Sequence, residues 1–452
     1  MLEAIQTYHE LLTDELAAES QAQLDDQLRR RGLYFGDRPL CTVLRPRFLT
    51  PDDYRYLQAR SQLLLQAFDK AYQEALRNPA FRAQFGLFDW EEKLMEFEPG
   101  FRDASPTSRL DAFFHPATES SPRALYFTEY NAETPAGIAY NDSLSEVFYG
   151  LRVMREFLRR YDVRPLPARH NVVHALLDAY RQWTGRQDAP RIAILDWREV
   201  PTYSEFTLFA EYIHSQGLEC IIADPREVEY RSGRLIAHGV PINLIYKRVL
   251  LSELVDRGGL EQPVLRAVRD GAATMVNAFR CKILHKKASL AVLSDERNAE
   301  LFSAVERAAI AEHIPWTRRI EERYTLYRGE MIELVPFILE KREQFLLKPN
   351  DEYGGKGIVL GWLSEPSAWE REVKAALGLT SIVQERAPVP TEPYPSLVGG
   401  RVHLIDRMLD TNPYVFYGDY VDGCLTRLST ATLINVSAGG GSSVPTFLVE
   451  KR

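Results

Sequence analysis

Cysteine is scarce. Cys41, Cys220, Cys281 and Cys424 are the only four, and none forms a C-x-x-C pair. This scatter excludes a disulfide framework and a zinc ribbon, and it fits a reducing compartment. Long apolar runs are also missing. No stretch of about 18 apolar residues occurs, so no segment is expected to span a membrane. The start, Met1-Leu-Glu-Ala-Ile-Gln-Thr-Tyr, has neither a basic region nor an apolar one, so no signal peptide is expected and the cytosol is the expected location. Excess positive charge is lacking: 55 Lys and Arg against 63 Asp and Glu leave a net charge of −8. That argues against a nucleic-acid partner. Internal repeats and low-complexity tracts are absent. What remains is a globular composition, 45% apolar and 26% charged over 452 residues, enough for about two or three domains.

The most informative stretch runs from Phe345 to Leu360. An apolar strand ends in Lys348, a polar turn follows, then Gly354, Gly355 and Gly357, then a second apolar strand. Glycines let backbone N–H groups approach phosphate oxygens, and a lysine at the strand end adds a point charge. The pattern is neither a P-loop nor a dinucleotide fingerprint.

Residues 1–95 read as mostly helical, with a short strand over Leu40–Pro46. An extended region over Phe101–Phe114 and the β-rich Ala124–Asn131 predict a hairpin. A helix is expected from Asn141 to about Arg160, capped by Asp142 or Ser143. Residues 190–270 read as a βαβ unit, with strands at Arg191–Asp196, Leu218–Asp224 and Ile242–Arg248 and a hairpin at Tyr230–Ala237. Ligands sit at the carboxyl ends of such strands, where Asp196, Thr202, Glu205, Lys247 and Arg248 fall. Helices are expected over Ala288–His313, Arg328–Arg342 and Ser367–Leu377, a strand over Ser381–Arg386, a rigid connector over Val389–Pro395, and strands to the end. The expected division is 1–95, 96–189, 190–270 and 271–452.

Four constellations can carry chemistry. Arg109-x-Asp111 and Glu129-x-Asn131, on adjacent strands, present one polar face. Two carboxylates and an amide oxygen suit magnesium, with substrate phosphates completing its shell, and Arg109 can neutralise a transferring phosphoryl group. Lys287 and Lys348 can share one triphosphate. The strand through Gln384, Glu385 and Arg386 turns at Pro388 and can act as a hinge, its backbone reading an adenine edge and Glu385 accepting from a ribose hydroxyl. Asn435–Pro445, with three consecutive glycines, is a second anion-ready loop. Each has a plainer reading: a solvated ion pair, a basic cluster, an edge strand and a flexible turn.

Together these motifs resemble the circularly permuted ATP-grasp family of the type 2, glutathionylspermidine synthetase-like kind. Glu129-Tyr-Asn-Ala-Glu-Thr-Pro-Ala-Gly137 resembles its E-Y-N-A-D-T/S run. Phe345–Gly361 resembles its lysine and glycine-loop hairpin, and Lys286-Lys-Ala288 its upstream N-K-A lysine. The order is inverted relative to an ordinary ATP-grasp ligase, with the acids first and the lysines, lid and hinge after. The likeness covers about residues 95–450.

The resemblance implies an α+β / α/β fold with an inserted βαβ, Rossmann-like substrate subdomain and an N-terminal helical region. It also implies a ligase joining a carboxylate to an amine, or less often a thiol, through an acyl phosphate. ATP and Mg2+ would be used. Asp111, Glu129 and Asn131 would hold the metal, and Arg109 would steady the acyl phosphate. Lys287 and Lys348 would bind phosphates, Gly354, Gly355 and Gly357 would form the lid, and Gln384, Glu385 and Arg386 the adenine hinge. Glu205 and Arg248 are candidates for the acceptor site. The family's amidase domain and its tripeptide- and polyamine-binding residues have no match, so glutathione and spermidine are not implied. A phosphotransferase or a non-catalytic nucleotide-binding protein on the same scaffold remains open.

Overall fold

The computed structural model describes residues 1–118, 120–352, 354–430 and 441–452. Its largest sheet runs in the order Thr391–Val398, Arg401–Leu409, Tyr420–Ser429, Asn412–Phe416, Thr107–His115, Ala124–Asn131. Gly441–Lys451 also pairs with Tyr420–Ser429 and links the sheet to Arg47–Leu49 and Tyr161–Pro165. The expected hairpin at its edge is present, as Thr107–His115 against Ala124–Asn131. A second, antiparallel sheet has the order Thr317–Arg319, Ser381–Glu385, Phe345–Pro349, Val359–Leu360. The third is parallel, in the order Thr274–Val276, Leu244–Lys247, Arg191–Leu195, Glu219–Ala223, with the expected helix at Tyr203–Ser215. No helix among the described residues is long and apolar enough to cross a membrane.

The long helix Pro51–Arg77 forms because Thr50 caps it, its hydroxyl accepting from the Asp53 N–H, and because Pro51 is preset for the first turn. It buries Leu57, Leu64, Leu65 and Phe68 against Leu110, Phe114, Phe127 and Tyr130 of the acid-bearing hairpin. The Phe68 and Tyr130 rings lie 4.7 Å apart. This helix thus forms the floor under the hairpin, while Leu2–Leu11 and Asp14–Arg30 pack in a separate core.

Several expected elements differ. Arg328–Arg342 is not one helix. Arg328 and Gly329 both take positive φ, 51° and 87°, and close a hairpin between Tyr324–Tyr327 and Glu330–Glu333, leaving a helix only at Leu334–Glu340. Ala288–His313 is broken at two caps: Asp295 accepts from the Arg297 N–H, and Ser303 and Glu306 form a capping box. Thr391–Val398 is an edge strand rather than a connector, its prolines tolerated because it pairs on one side only with Arg401–Leu409; the Leu44 N–H donates to the Pro395 carbonyl. Leu40–Pro46 is irregular, and the strand there is Arg47–Leu49. The helix expected at Asn141 begins at Ile138, entered through Gly137 at φ 99°, and ends at Gly150; Asp142 instead accepts from the Ala168 and Arg169 N–H groups.

Candidate active site

The register of the hairpin sets Arg109 opposite Asn131 and Asp111 opposite Glu129, so all four project from one face. Asp111 is gripped from two sides. Its oxygens accept from Arg109 Nε at 2.6 Å and Nη2 at 3.0 Å, and from Arg427 Nη2 at 2.8 Å. Burial, the largest influence, pushes the Asp111 carboxyl up, but Arg109 and Arg427 outweigh it and hold it at about 2. Arg427 also binds Asp410 through Nε at 2.7 Å. Burial pushes the Asp410 carboxyl up, against the pull of Arg427.

Glu129 lies 3.3 Å from Lys287 Nζ. Burial would raise its pKa, but Lys287, aided by Lys348, holds it below the usual carboxylate range. Lys348 enters from the second sheet. Its ammonium donates to the Thr128 carbonyl at 2.9 Å and to Gln384 Oε1 at 2.8 Å, joining two sheets whose residues stand 220 positions apart. Burial pulls Lys348 down to about 8, with Glu129 opposing.

These groups meet at a cavity of about 620 Å³, a size suited to a drug-sized ligand. Asp111, Glu129, Asn131, Lys348, Asp410 and Arg427 form its polar end. Leu346, Ile358, Leu360, Trp362, Val389 and Met408 form its apolar end, flanked by Gln384, Glu385 and Arg386. Gly354 and Gly355 line it, with positive φ of 65° and 76°. The carboxylate and amide oxygens fit a hard cation, and the cations beside them fit phosphate oxygens.

Some expected residues stand back from the wall. Arg109 is spent on Asp111 and on the Ala136 carbonyl, at 2.8 Å from Nη1, so it positions the carboxylate rather than facing the cavity. Lys287 reaches Glu129 and the Glu352 carbonyl from behind. Gly357 packs on Pro349, where an added Cβ would lie 2.7 Å from Cγ. The hinge reading needs correction in one respect. The Glu385 N–H donates to the Trp316 carbonyl at 2.8 Å and the Arg386 N–H to that of Gln344 at 2.7 Å, so neither is free for a base edge. The Glu385 carboxylate already accepts from Tyr327 and Arg328.

Glu205 and Arg248 pair at 3.0 Å, and Glu205 also accepts from the Gly137 and Ala139 N–H groups. Both lie away from this cavity. Of the Asn435–Pro445 loop, residues 435–440 lie outside the described residues.

Sequence reasoning missed Asp410, in the turn after Arg401–Leu409, and Arg427, within Tyr420–Ser429; neither has a motif around it. It also missed the ionic cluster behind the lid. Lys282 Nζ lies 2.5 Å from Asp351, 3.1 Å from Glu133 and 3.4 Å from Glu91. Lys286 bridges Glu91 and Asp351 at 2.8 and 2.9 Å. Glu133, His285 and Asp351 converge within 4.8 Å, but Lys282 bridges the two carboxylates there, and Lys247 and Lys286 pair with Glu133 and Asp351 in turn. The E-x-N-x-E spacing and the run of lysines were the available signals.

No family model matches the sequence, and no curated protein does. Among solved structures the chain is similar to a glutathione synthetase-like effector from Globodera pallida in its apo form, with a TM-score of 0.61 and 11% identity over 96% of this chain and 94% of that one. A putative gamma-glutamylcysteine synthetase from Methylobacillus flagellatus KT matches at a TM-score of 0.46 and 13% identity over 89% of each chain, too loosely to carry an argument. The first likeness shows a shared fold, mixed α/β in kind.

Proposed function

We propose that this chain is a Mg2+-dependent ligase that uses ATP to join a carboxylate to an amine, on a circularly permuted ATP-grasp scaffold with the parallel sheet as an inserted substrate subdomain. One observation carries the reading: Glu129 and Asn131 of the early hairpin and Lys348 of the late sheet line a single cavity. The description of the similar fold as glutathione synthetase-like agrees with it.

ATP would supply the phosphoryl group that activates the carboxylate. The substrate oxygen attacks the γ-phosphorus, the β–γ bridge breaks and ADP leaves. The amine nitrogen then attacks the acyl carbon, expels phosphate and gives up a proton. The protein's share is placement and charge. Asp111, Glu129 and Asn131 offer the oxygens that would hold Mg2+. Lys348 places its ammonium against the phosphates, and Lys287 works behind it through Glu129. Gly354 and Gly355 close a backbone lid that keeps water from the activated acid. Arg427 takes the wall position expected of Arg109, and Arg109 steadies Asp111. The substrates are small-molecule or peptide carboxylates and amines.

The test is ADP release against a panel of carboxylic acids, with and without hydroxylamine. Hydroxamate formation supports acyl activation. A stable phosphorylated product identifies a kinase instead, and absence of ATP turnover with every acid supports the non-catalytic reading.

A further inference from the structure

Lys348 is the cation on which the proposed phosphate site turns, yet its ammonium is nearly buried among groups of both signs. Glu129, Asp111 and Lys287 all act on it. A lysine head on a flexible stem needs fixed acceptors to hold one position. Two are present, the Thr128 carbonyl and Gln384 Oε1.

The first acceptor is backbone and cannot turn. The second is one end of an amide, and its two ends are opposite in kind. With the NH2 end toward the lysine, two donors would face each other. What sets the amide is therefore part of what sets the lysine.

Donor accounting answers this. Thr317 stands directly opposite Gln384 across the strand pair, and Gln384 stands opposite Leu346, two residues before Lys348 on the same face. The Thr317 hydroxyl spends its single proton on the Pro315 carbonyl, at 2.6 Å. It can then only accept, and Gln384 Nε2 donates to it at 3.0 Å. The amide is locked with its oxygen toward Lys348. Thr317 is fully buried and is not on the cavity wall, so it touches no ligand itself.

We propose that Thr317 is a positioning residue for the Lys348 ammonium, acting through the Gln384 amide; its part in nucleotide binding rests on the phosphate role given to Lys348 above. Thr317→Val keeps the shape and removes the acceptor. The amide then gains by turning its NH2 end elsewhere, and Lys348 loses one of its two anchors. Thr317→Ser restores the hydroxyl.

The experiment compares the wild-type chain with T317V, T317A and T317S, the alanine variant serving if the valine does not fold. Two readouts are taken. The first uses no nucleotide: NMR hydrogen exchange of the Gln384 side-chain amide and the Lys348 ammonium. Protected signals in wild type and T317S, lost in T317V or T317A, are the expected result; unchanged protection in those variants overturns the proposal. The second is the KM for Mg-ATP against kcat. A rise in KM of about tenfold with kcat within about twofold is expected for T317V, about 1.4 kcal/mol of binding. A KM like that of wild type, or equal loss in T317S, overturns it. If wild type binds no Mg-ATP, the ligase reading fails while the exchange readout still decides the relay.

Discussion

At the scale of the residue, the account rests on buried charges held in pairs. Arg427 is shared by two carboxylates, Asp111 and Asp410. Arg427→Met leaves Asp410 buried without its partner, and the expected loss is about 3–5 kcal/mol of stability, read by urea denaturation. Lys348 gives a pH prediction. Burial lowers its pKa to about 8, so its charge is full below that value and is lost as pH rises through it. Mg-ATP affinity should therefore fall above about pH 8, and Lys348→Arg, which stays charged, should flatten that limb in a calorimetric pH series. Glu129, Asn131 and Lys348 were legible because each sits in a short motif with a chemical reason. Arg427 was not, because an arginine in Gly423-Cys-Leu-Thr-Arg427 looks like any strand residue. What distinguishes it is a contact with Asp111, 316 positions away.

At the scale of the element, the lid is the part whose local sequence dictates its form. Gly357 has φ 72° and Gly361 has no room, since a Cβ there would lie 2.0 Å from the Arg342 carbonyl. Gly361→Ala should disrupt the turn after the lid and lower kcat/KM by at least about tenfold. The root of the lid is fixed by Asn350, whose Oδ1 accepts from the Ala288 N–H and whose Nδ2 donates to the Phe85 carbonyl, and by Asp351 between two lysines. Asp351→Ala should destabilise the chain by about 3–5 kcal/mol, because Lys282 and Lys286 then share too little negative charge. The hairpin at Tyr324–Glu333 was illegible as a strand pair. Its apolar residues recur at spacings that also suit a helix, and only the Arg328-Gly329 turn distinguishes the two. The break at Ser303 was readable from its S-x-x-E capping box.

At the scale of the molecule, the claim is that distant segments are folded onto one site. The order of motifs along the chain made the convergence an expectation, and the hydrogen bond from Lys348 to the Thr128 carbonyl makes it a contact. The sequence could not show that the Pro51–Arg77 helix packs under the acid-bearing hairpin, because its pattern specifies an apolar face without naming its partner. The most direct measurement is a calorimetric titration of ATP, with and without Mg2+, into wild type, Glu129→Gln, Lys348→Met and the double variant. The account predicts Mg2+-dependent binding, at least about tenfold weaker in each single variant, and a double variant less impaired than the sum of the two. Strict additivity, or no Mg2+-dependent binding by wild type, would contradict it.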